Sequence, residues 1–267
     1  MIKILFIGEI SGKIGRRAVE KILPELKKDL KPDLVIANAD NLAHGKGVSE
    51  TTIKEMITVG IDLFTGGDHC FDNSKSLEFY DREPKLLRPA NYSKHSPGNG
   101  YALIDLKNHH KILLISLVGR IFMSFDYECP FAKIDEILSN VANDNISAII
   151  IDIHAEATSE KIALAHYLDG KVSSILGSHT HVMTADAQIF ESGTSFITDV
   201  GMTGFADGVL GLKKEGIIKT FLSQIKNSHI IPEIGRVSFN AVFLTINQKT
   251  KKTHSIETIS KQLIINN

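Results

Sequence analysis

The sequence has little of three things that would narrow its class. Of 267 residues only two are cysteines, Cys70 and Cys129, too few for a disulfide framework or an all-cysteine zinc site. Both read as ordinary thiols. Charge of one sign is also missing, since 30 Lys and Arg stand against 31 Asp and Glu, for a formal net charge of −1. That balance gives no global attraction to nucleic acid or membrane, although a local basic patch is compatible with it. No apolar run approaches the length of a membrane span. The N-terminal MIKILFIGEI meets an acid at Glu9, ahead of anything resembling the apolar core of a signal peptide. A cytoplasmic protein without a membrane partner is expected.

What is present is an ordinary globular composition, 43% hydrophobic and 23% charged, on a chain long enough for a substantial core. No repeat, low-complexity block or linker divides it, and a single domain over residues 1–267 is expected. Ile2 to Ile7 reads as a buried strand stopped at Gly8. Ser11 can cap the following helix, whose apolar residues Ile14, Ala18, Ile22 and Leu26 recur every four positions. The loop between them fails both phosphate-loop tests. Three residues, not four, separate Gly8 from Gly12, and Ile14 rather than Ser or Thr follows Lys13. The spacing G-x-x-x-G-x-x-G also misses the dinucleotide fingerprint, which removes a Rossmann-like cofactor binder.

Further strands are expected at Asp33–Ala37, Ile61–Thr65, Lys111–Leu117, Ser147–Ile153, Val172–Leu176 and from Ser195 to Thr198. Helices are expected near Ser49–Val59, Phe131–Asn145 and Thr158–Tyr167. This alternation indicates an α/β fold with a partly parallel sheet. Asp72–Tyr101, with three of the seven prolines, reads as an irregular excursion on the rim of a site, and Gly119–Pro130 as a loop. Arg236–Ile246 and His254–Ile265 alternate as antiparallel strands expected to complete a second sheet.

The chemistry gathers after the apolar runs: Glu9, Asp40-Asn41, Asp68-His69, His154, and the pair His179 and His181 in GSHTHV. Singly, each has a plain reading. Glu9 and Asp40 can cap helices, His154 can be a satisfied core histidine, and His-x-His can be a solvated loop. His44, His95, His109, His110 and His166 read as ordinary surface or core histidines. Jointly, the set is harder to dismiss, because strand carboxyl ends converge on one edge of an open α/β sheet. Three carboxylates and three imidazoles there call for cations and suit two divalent first-row metals, iron or manganese first and zinc next. His69, beside a ligand position, can donate a proton to a leaving oxygen.

That order resembles the metallophosphoesterases, and more closely their YmdB-like branch of bacterial calcineurin-like phosphodiesterases. The resemblance rests on NLAHGKG (Asn41–Gly47), RPAN (Arg88–Asn91), DIHAEATSEK (Asp152–Lys161), GSHTHVMTAD (Gly177–Asp186) and TDVGMTG (Thr198–Gly204), and it spans nearly the whole chain. It implies a four-layer αββα sandwich with mixed sheets. It also implies phosphodiesterase activity toward 2′,3′-cyclic nucleotides through a hydroxide activated by a dinuclear metal centre. Carried over by position, Glu9 and His181 would hold one metal, Asp68, His154 and His179 the other, and Asp40 would bridge them. Asn41 and His69 would face the phosphate as catalytic groups. A homo-oligomer is implied by the same resemblance, and the near-neutral charge neither requires nor excludes RNA as a substrate.

Three positions depart from the family pattern, which has Asp at Glu9, Glu at Asp40 and Asn at Asp68. The first two are opposite one-methylene changes that can offset each other. Asp68 adds negative charge that holds a hard cation well but opposes an incoming phosphate. All three keep an oxygen donor, as a working centre requires. The change at Asp68 leaves a rival expectation, a metal-binding regulatory protein of the same fold with little catalysis.

Overall fold

The computed structural model describes residues 1–106 and 110–266; His109 lies outside them. In chain order the first elements are β1 (Ile2–Ile7), β2 (Glu9–Ile10), α1 (Gly12–Leu30), β3 (Leu34–Asn38), α2 (Glu50–Val59), β4 (Leu63–Thr65), α3 (Leu77–Arg82) and β5 (Leu86–Leu87). Then follow β6 (Tyr101–Asp105), β7 (Lys111–Val118), α4 (Pro130–Asn140), β8 (Ile146–His154), α5 (Thr158–Tyr167) and β9 (Ser174–Ser178). The last are β10 (Gln188–Ile189), β11 (Ser195–Ile197), β12 (Met202–Phe205), α6 (Lys214–Ser223), β13 (Gly235–Ile246) and β14 (Thr253–Ile265).

Two mixed sheets result. One runs β2-β12-β13-β1-β3-β4-β5 with β14 added on β13, and the other runs β10-β11-β9-β8-β7-β6. In the first, β1, β3, β4 and β5 are parallel; in the second, β7, β8, β9 and β11 are.

The period-two pattern of the strands creates the four layers. In β1, Ile2, Ile4 and Phe6 face the other sheet, where they meet Ile112, Leu114, Ala148 and Ile150. Leu5 and Ile7 point the opposite way, onto Val19, Ile22 and Leu23 of α1 and Ile53 and Met56 of α2. In β8 the alternate residues Ile149, Ile151 and Ile153 pack outward against Ile134 and Ile137 of α4 and Leu164 of α5. Helices, sheet, sheet and helices therefore stack as the expected αββα sandwich.

Local signals mostly place their elements where the sequence puts them. Ser49 caps α2 reciprocally with Thr52, and α5 has the expected bounds. Ser11 occupies the cap position of α1 but makes no side-chain cap bond. The excursion after Asp72 includes the short elements α3 and β5. One expectation is wrong. The tail strands β13 and β14 do not complete the second sheet; β13 lies between β12 and β1 of the first, antiparallel to both. Its Phe239, Ala241 and Phe243 face the helices, and Val242, Leu244 and Ile246 face the other sheet. Alternation specifies two buried faces but not which sheet supplies the neighbours.

Phe6 is fully buried at the sheet–sheet contact. Phe6→Ala is expected to cost about 3–5 kcal/mol, read as a lower urea midpoint at unchanged slope.

Candidate metal centre

The carboxyl ends of the parallel strands in both sheets meet at one seam. Glu9 follows β1, Asp40 and Asn41 follow β3, and Asp68 and His69 follow β4. From the other sheet come His154, the last residue of β8, and His179 and His181 just beyond β9. Three groupings bring potential ligand atoms within 4.8 Å of one another: Asp68, His154 and His179; Glu9, Asp40 and His154; Asp40, Asp68 and His69. His181 sits beside the second, with Nε2 3.1 Å from Glu9 Oε1.

His154 Nε2 lies 3.0 Å from Asp68 Oδ1, 3.0 Å from His179 Nδ1 and 3.4 Å from Asp40 Oδ2. One ring nitrogen carries at most one proton and cannot satisfy three such neighbours. Two ring nitrogens facing each other among buried carboxylates are the donor set of a divalent cation, and the residues fit that group.

The opposite nitrogen of each imidazole is held from outside. His154 Nδ1 is 3.0 Å from Ser178 Oγ, which donates to Asp152 Oδ1 at 2.7 Å. Because that hydroxyl proton is committed, the ring must donate from Nδ1, leaving Nε2 toward the cluster. His179 Nε2 faces Glu156 Oε2 at 3.2 Å, and His181 Nδ1 donates to the Leu210 carbonyl at 3.1 Å. Outer partners of this kind orient metal-binding histidines.

Close approach and local strain build the rest. A Cβ at Gly67 would stand 2.3 Å from the His154 ring, so glycine there lets β4's turn reach the imidazole. His179 and His181 hold left-handed backbone angles, φ 93° and 65°, costly for residues with a side chain. The fully buried Lys161–Asp199 pair holds that loop. Lys161 Nζ donates to the Ser178 carbonyl at 2.6 Å and to Asp199 at 3.1 Å, and Asp199 accepts from the Thr180 N–H and hydroxyl at 3.0 and 2.8 Å.

Asp40 neither caps a helix nor faces water. It accepts from the Gly67 N–H at 2.6 Å and the His69 N–H at 3.1 Å. Glu9 accepts from the Asn41 amide, the His179 N–H and His181. The His69 ring, which falls within the third grouping, also has its Nδ1 2.9 Å from Asp72 Oδ2.

Burial raises each carboxyl, and the imidazoles pull it back. For Asp40 burial prevails over His154, lifting it to about 6. For Glu9 the His181 charge overcomes burial, and for Asp68 the His154 and His179 hydrogen bonds do, so both lie below the usual carboxylate range. Burial disfavours the charged imidazoles, yet Asp40 and Asp68 lift His154 to about 10 and Glu9 lifts His181 to about 9.

A cavity of about 640 Å³ opens onto this cluster, lined by Asn41, His69, His179 and His181, with His44, Lys46 and His229 also on its wall. A larger one, about 700 Å³, lies at the amino ends of β3 and β4 around Asp33 and Asp62. None of the three ligand groupings is found there among the described residues. His44, read as ordinary from the sequence, thus borders the site. Asp152, Glu156, Lys161 and Asp199 were not singled out as site residues. A signal was present for Asp152, an acid inside the apolar run AIIIDIH.

The YmdB-like protein family matches residues 5–259. The chain belongs to that family. It is 42% identical over 257 residues to the 2′,3′-cyclic-nucleotide 2′-phosphodiesterase of Bacillus subtilis, covering 96% of each chain. Among solved structures, a Mycoplasma pneumoniae phosphatase superposes with a TM-score of 0.91 at 33% identity, covering 98% of this chain and 93% of the other. A protein from Thermus thermophilus gives 0.90 at 34% identity, over 98% and 99%. As a member of this metallophosphoesterase branch, the protein carries a His/Asp/Glu cluster whose donor set fits divalent metal.

Two consequences are measurable. Metal uptake requires neutral imidazoles, so His154 and His181, charged at neutral pH, must each give up a proton. Manganese affinity should therefore rise with pH up to about 9 to 10, with proton release shown by calorimetry in buffers of different ionisation enthalpy. Ser178→Ala should weaken manganese binding roughly 10–100-fold in the same titration.

Proposed function

We propose that this protein is a metal-dependent phosphodiesterase acting on nucleotides, 2′,3′-cyclic nucleotides first among them. The observation that carries the reading is the convergence of Glu9, Asp40 and Asp68 with the outwardly tethered His154, His179 and His181, beside a histidine-lined cavity. The named activity of the Bacillus subtilis relative, over nearly the whole chain, supports the substrate class.

Glu9, Asp40, Asp68, His154, His179 and His181 would hold the cations; six donors suit two ions, and the mixed oxygen–nitrogen set suits iron or manganese ahead of zinc. Such ions supply water activation and charge stabilisation on phosphate. The chain's own residues do the rest. Lys46, His44 and His229 offer donors to phosphate oxygens across the cavity. Asp72 fixes the His69 ring through Nδ1, so the other nitrogen is left to pass a proton to the leaving oxygen. Asn41 lines the same cavity while donating to Glu9, and we assign it to orient both that carboxylate and the phosphate.

Because the site draws on strand ends of both sheets, we read residues 1–267 as one domain. Among the described residues no helix is long and apolar enough to cross a membrane; a cytoplasmic location is part of the proposal, in keeping with the unpaired Cys70 and Cys129. Exposed Phe221, Leu222 and Ile225 at and just past the end of α6 support self-association. RNA ends bearing a cyclic phosphate would offer the same reacting group.

The test is hydrolysis of 2′,3′-cyclic AMP and a generic phosphodiester by protein of measured metal content, loaded separately with manganese, iron and zinc. Turnover that depends on metal and is lost in His154→Ala is expected. Metal binding without turnover of any phosphodiester would favour a regulatory protein, the reading that Asp68 keeps open.

Asp68 belongs to a ligand grouping with His154 and His179, and we read its charge as opposing a phosphate brought to the cations held there. Asp68→Asn, assayed at saturating metal, should raise kcat roughly tenfold, equivalent to ~1.4 kcal/mol of relieved repulsion. Glu9 and Asp40 share a grouping, so Glu9→Asp and Asp40→Glu should each reduce activity, while the double variant recovers more than additivity allows.

A further inference from the structure

A second cavity, about 380 Å³, adjoins the metal-ligand cluster at Asp68. Its walls include Phe71, Tyr92, Phe125 and Tyr127, and its polar lining includes Asp72, Asp126 and Glu128. The rings form a continuous set. Phe71 meets Tyr92 edge-on at 5.3 Å between centroids, Tyr92 meets Tyr127 at 4.7 Å, and Phe125 meets Tyr127 at 6.0 Å. The Tyr92 hydroxyl is 3.1 Å from the Gly67 carbonyl and 3.2 Å from the Tyr127 hydroxyl, which anchors this aromatic wall to the loop carrying Asp68.

The two cavities differ in charge and surface. The histidine-lined one has Lys46, five histidines, one carboxylate (Glu156, facing His179) and an aliphatic wall of Leu210, Leu212 and Ile231; on balance it suits an anion. Carboxylates line the aromatic one, so it disfavours phosphate and suits a flat, neutral group with outward N–H donors. Between them stands the His69–Asp72 pair, with Lys46 Nζ 3.9 Å from the same carboxylate. A molecule lying over this ridge would place a phosphate on one side and a planar ring on the other.

We infer that the aromatic cavity beside Asp68 is the nucleobase subsite, stacking a base against Phe125 and Tyr92 and taking its exocyclic amino group at Asp126 or Glu128. The inference rests on the phosphodiesterase reading above. Aromatic faces stack any base, whereas carboxylates accept from the amino groups of adenine, cytosine or guanine and repel the paired carbonyls of uracil. The volume lies within the range of small-molecule sites. Phe125 is 67% exposed, a large apolar ring left for a ligand and one that can be truncated at little cost to folding.

The experiment measures kcat and KM for 2′,3′-cyclic AMP, 2′,3′-cyclic UMP and base-free ribose 2′,3′-cyclic phosphate. It compares the wild-type protein with Phe125→Ala, Asp126→Asn, Leu210→Ala and, as a surface control, Ile264→Ala at an exposed position of β14. NMR titration with adenosine, which has no phosphate, reads binding independently of turnover. Phe125→Ala should raise KM for cyclic AMP by about five- to a hundredfold, towards the base-free value, and weaken adenosine binding to match. Asp126→Asn should narrow the preference for cyclic AMP over cyclic UMP. Equal KM for nucleotide and base-free substrate in the wild type would overturn the subsite. So would unchanged KM in Phe125→Ala with an increase in Leu210→Ala, which would put the base in the other cavity. No hydrolysis of any of the three by metal-loaded wild type would instead overturn the phosphodiesterase reading, and this inference with it.

Discussion

Beneath the ligand cluster, the Asp152 carboxylate joins the two sheets. It accepts from Asn38 of β3 at 2.8 Å and Thr65 of β4 on one side, and from Ser178 of β9 at 2.7 Å on the other. Burial raises this carboxyl above its usual range, and the hydrogen bonds from Thr65, Ser178 and Asn38 work against that rise. A buried acid with so many donors is tolerable where its partners are all in place and expensive where one is missing. Asp152 therefore ties sheet registry to site geometry. Asp152 and His154 lie two residues apart on β8, so a shift that broke these hydrogen bonds would also move a ligand nitrogen.

The division of labour across the seam follows from this pin. All three carboxylates of the cluster come from the first sheet and His154, His179 and His181 from the second, while His69 adds an imidazole from the first. Each set alone would be a concentration of like groups. Brought together they compensate, which is why Glu9 and Asp68 stay ionised despite burial while His154 and His181 are driven toward their charged forms. The apolar contact between Ile4 and Phe6 on one sheet and Leu114 and Ile150 on the other supplies the adhesion; the polar network supplies the alignment.

The sequence made the layers and the ligand residues readable for one reason: both obey local patterns. Ile, Leu and Val at alternating positions define two-faced strands, and the acids and histidines stand where those strands stop. What was hidden is non-local. Lys161 is a helix residue whose buried partner, Asp199, lies 38 positions away, and no spacing rule joins them. Asp152 interrupts an apolar strand and so was visible as an anomaly, but its donors come from three other strands. The placement of β13 failed for a related reason. A strand buried on both faces carries no mark of its neighbours, and the antiparallel insertion beside β1 is decided by packing over the whole sheet.

The two exchanged carboxylates make sense only in this setting. Asp40 is held short by backbone N–H groups of Gly67 and His69, so its oxygens are fixed relative to β4's turn. An extra methylene there would push the carboxylate past those donors. Glu9 starts from β2 and must reach Asn41, the His179 N–H and His181 at once. The longer arm gives that reach, and the crowd of donors removes the rotamer freedom that would otherwise make glutamate a loose ligand. The length of each side chain is therefore matched to the distance its backbone leaves to cover and, because both acids share one grouping, to the length of the other. A cluster that has drifted out of use has no reason to preserve such a match.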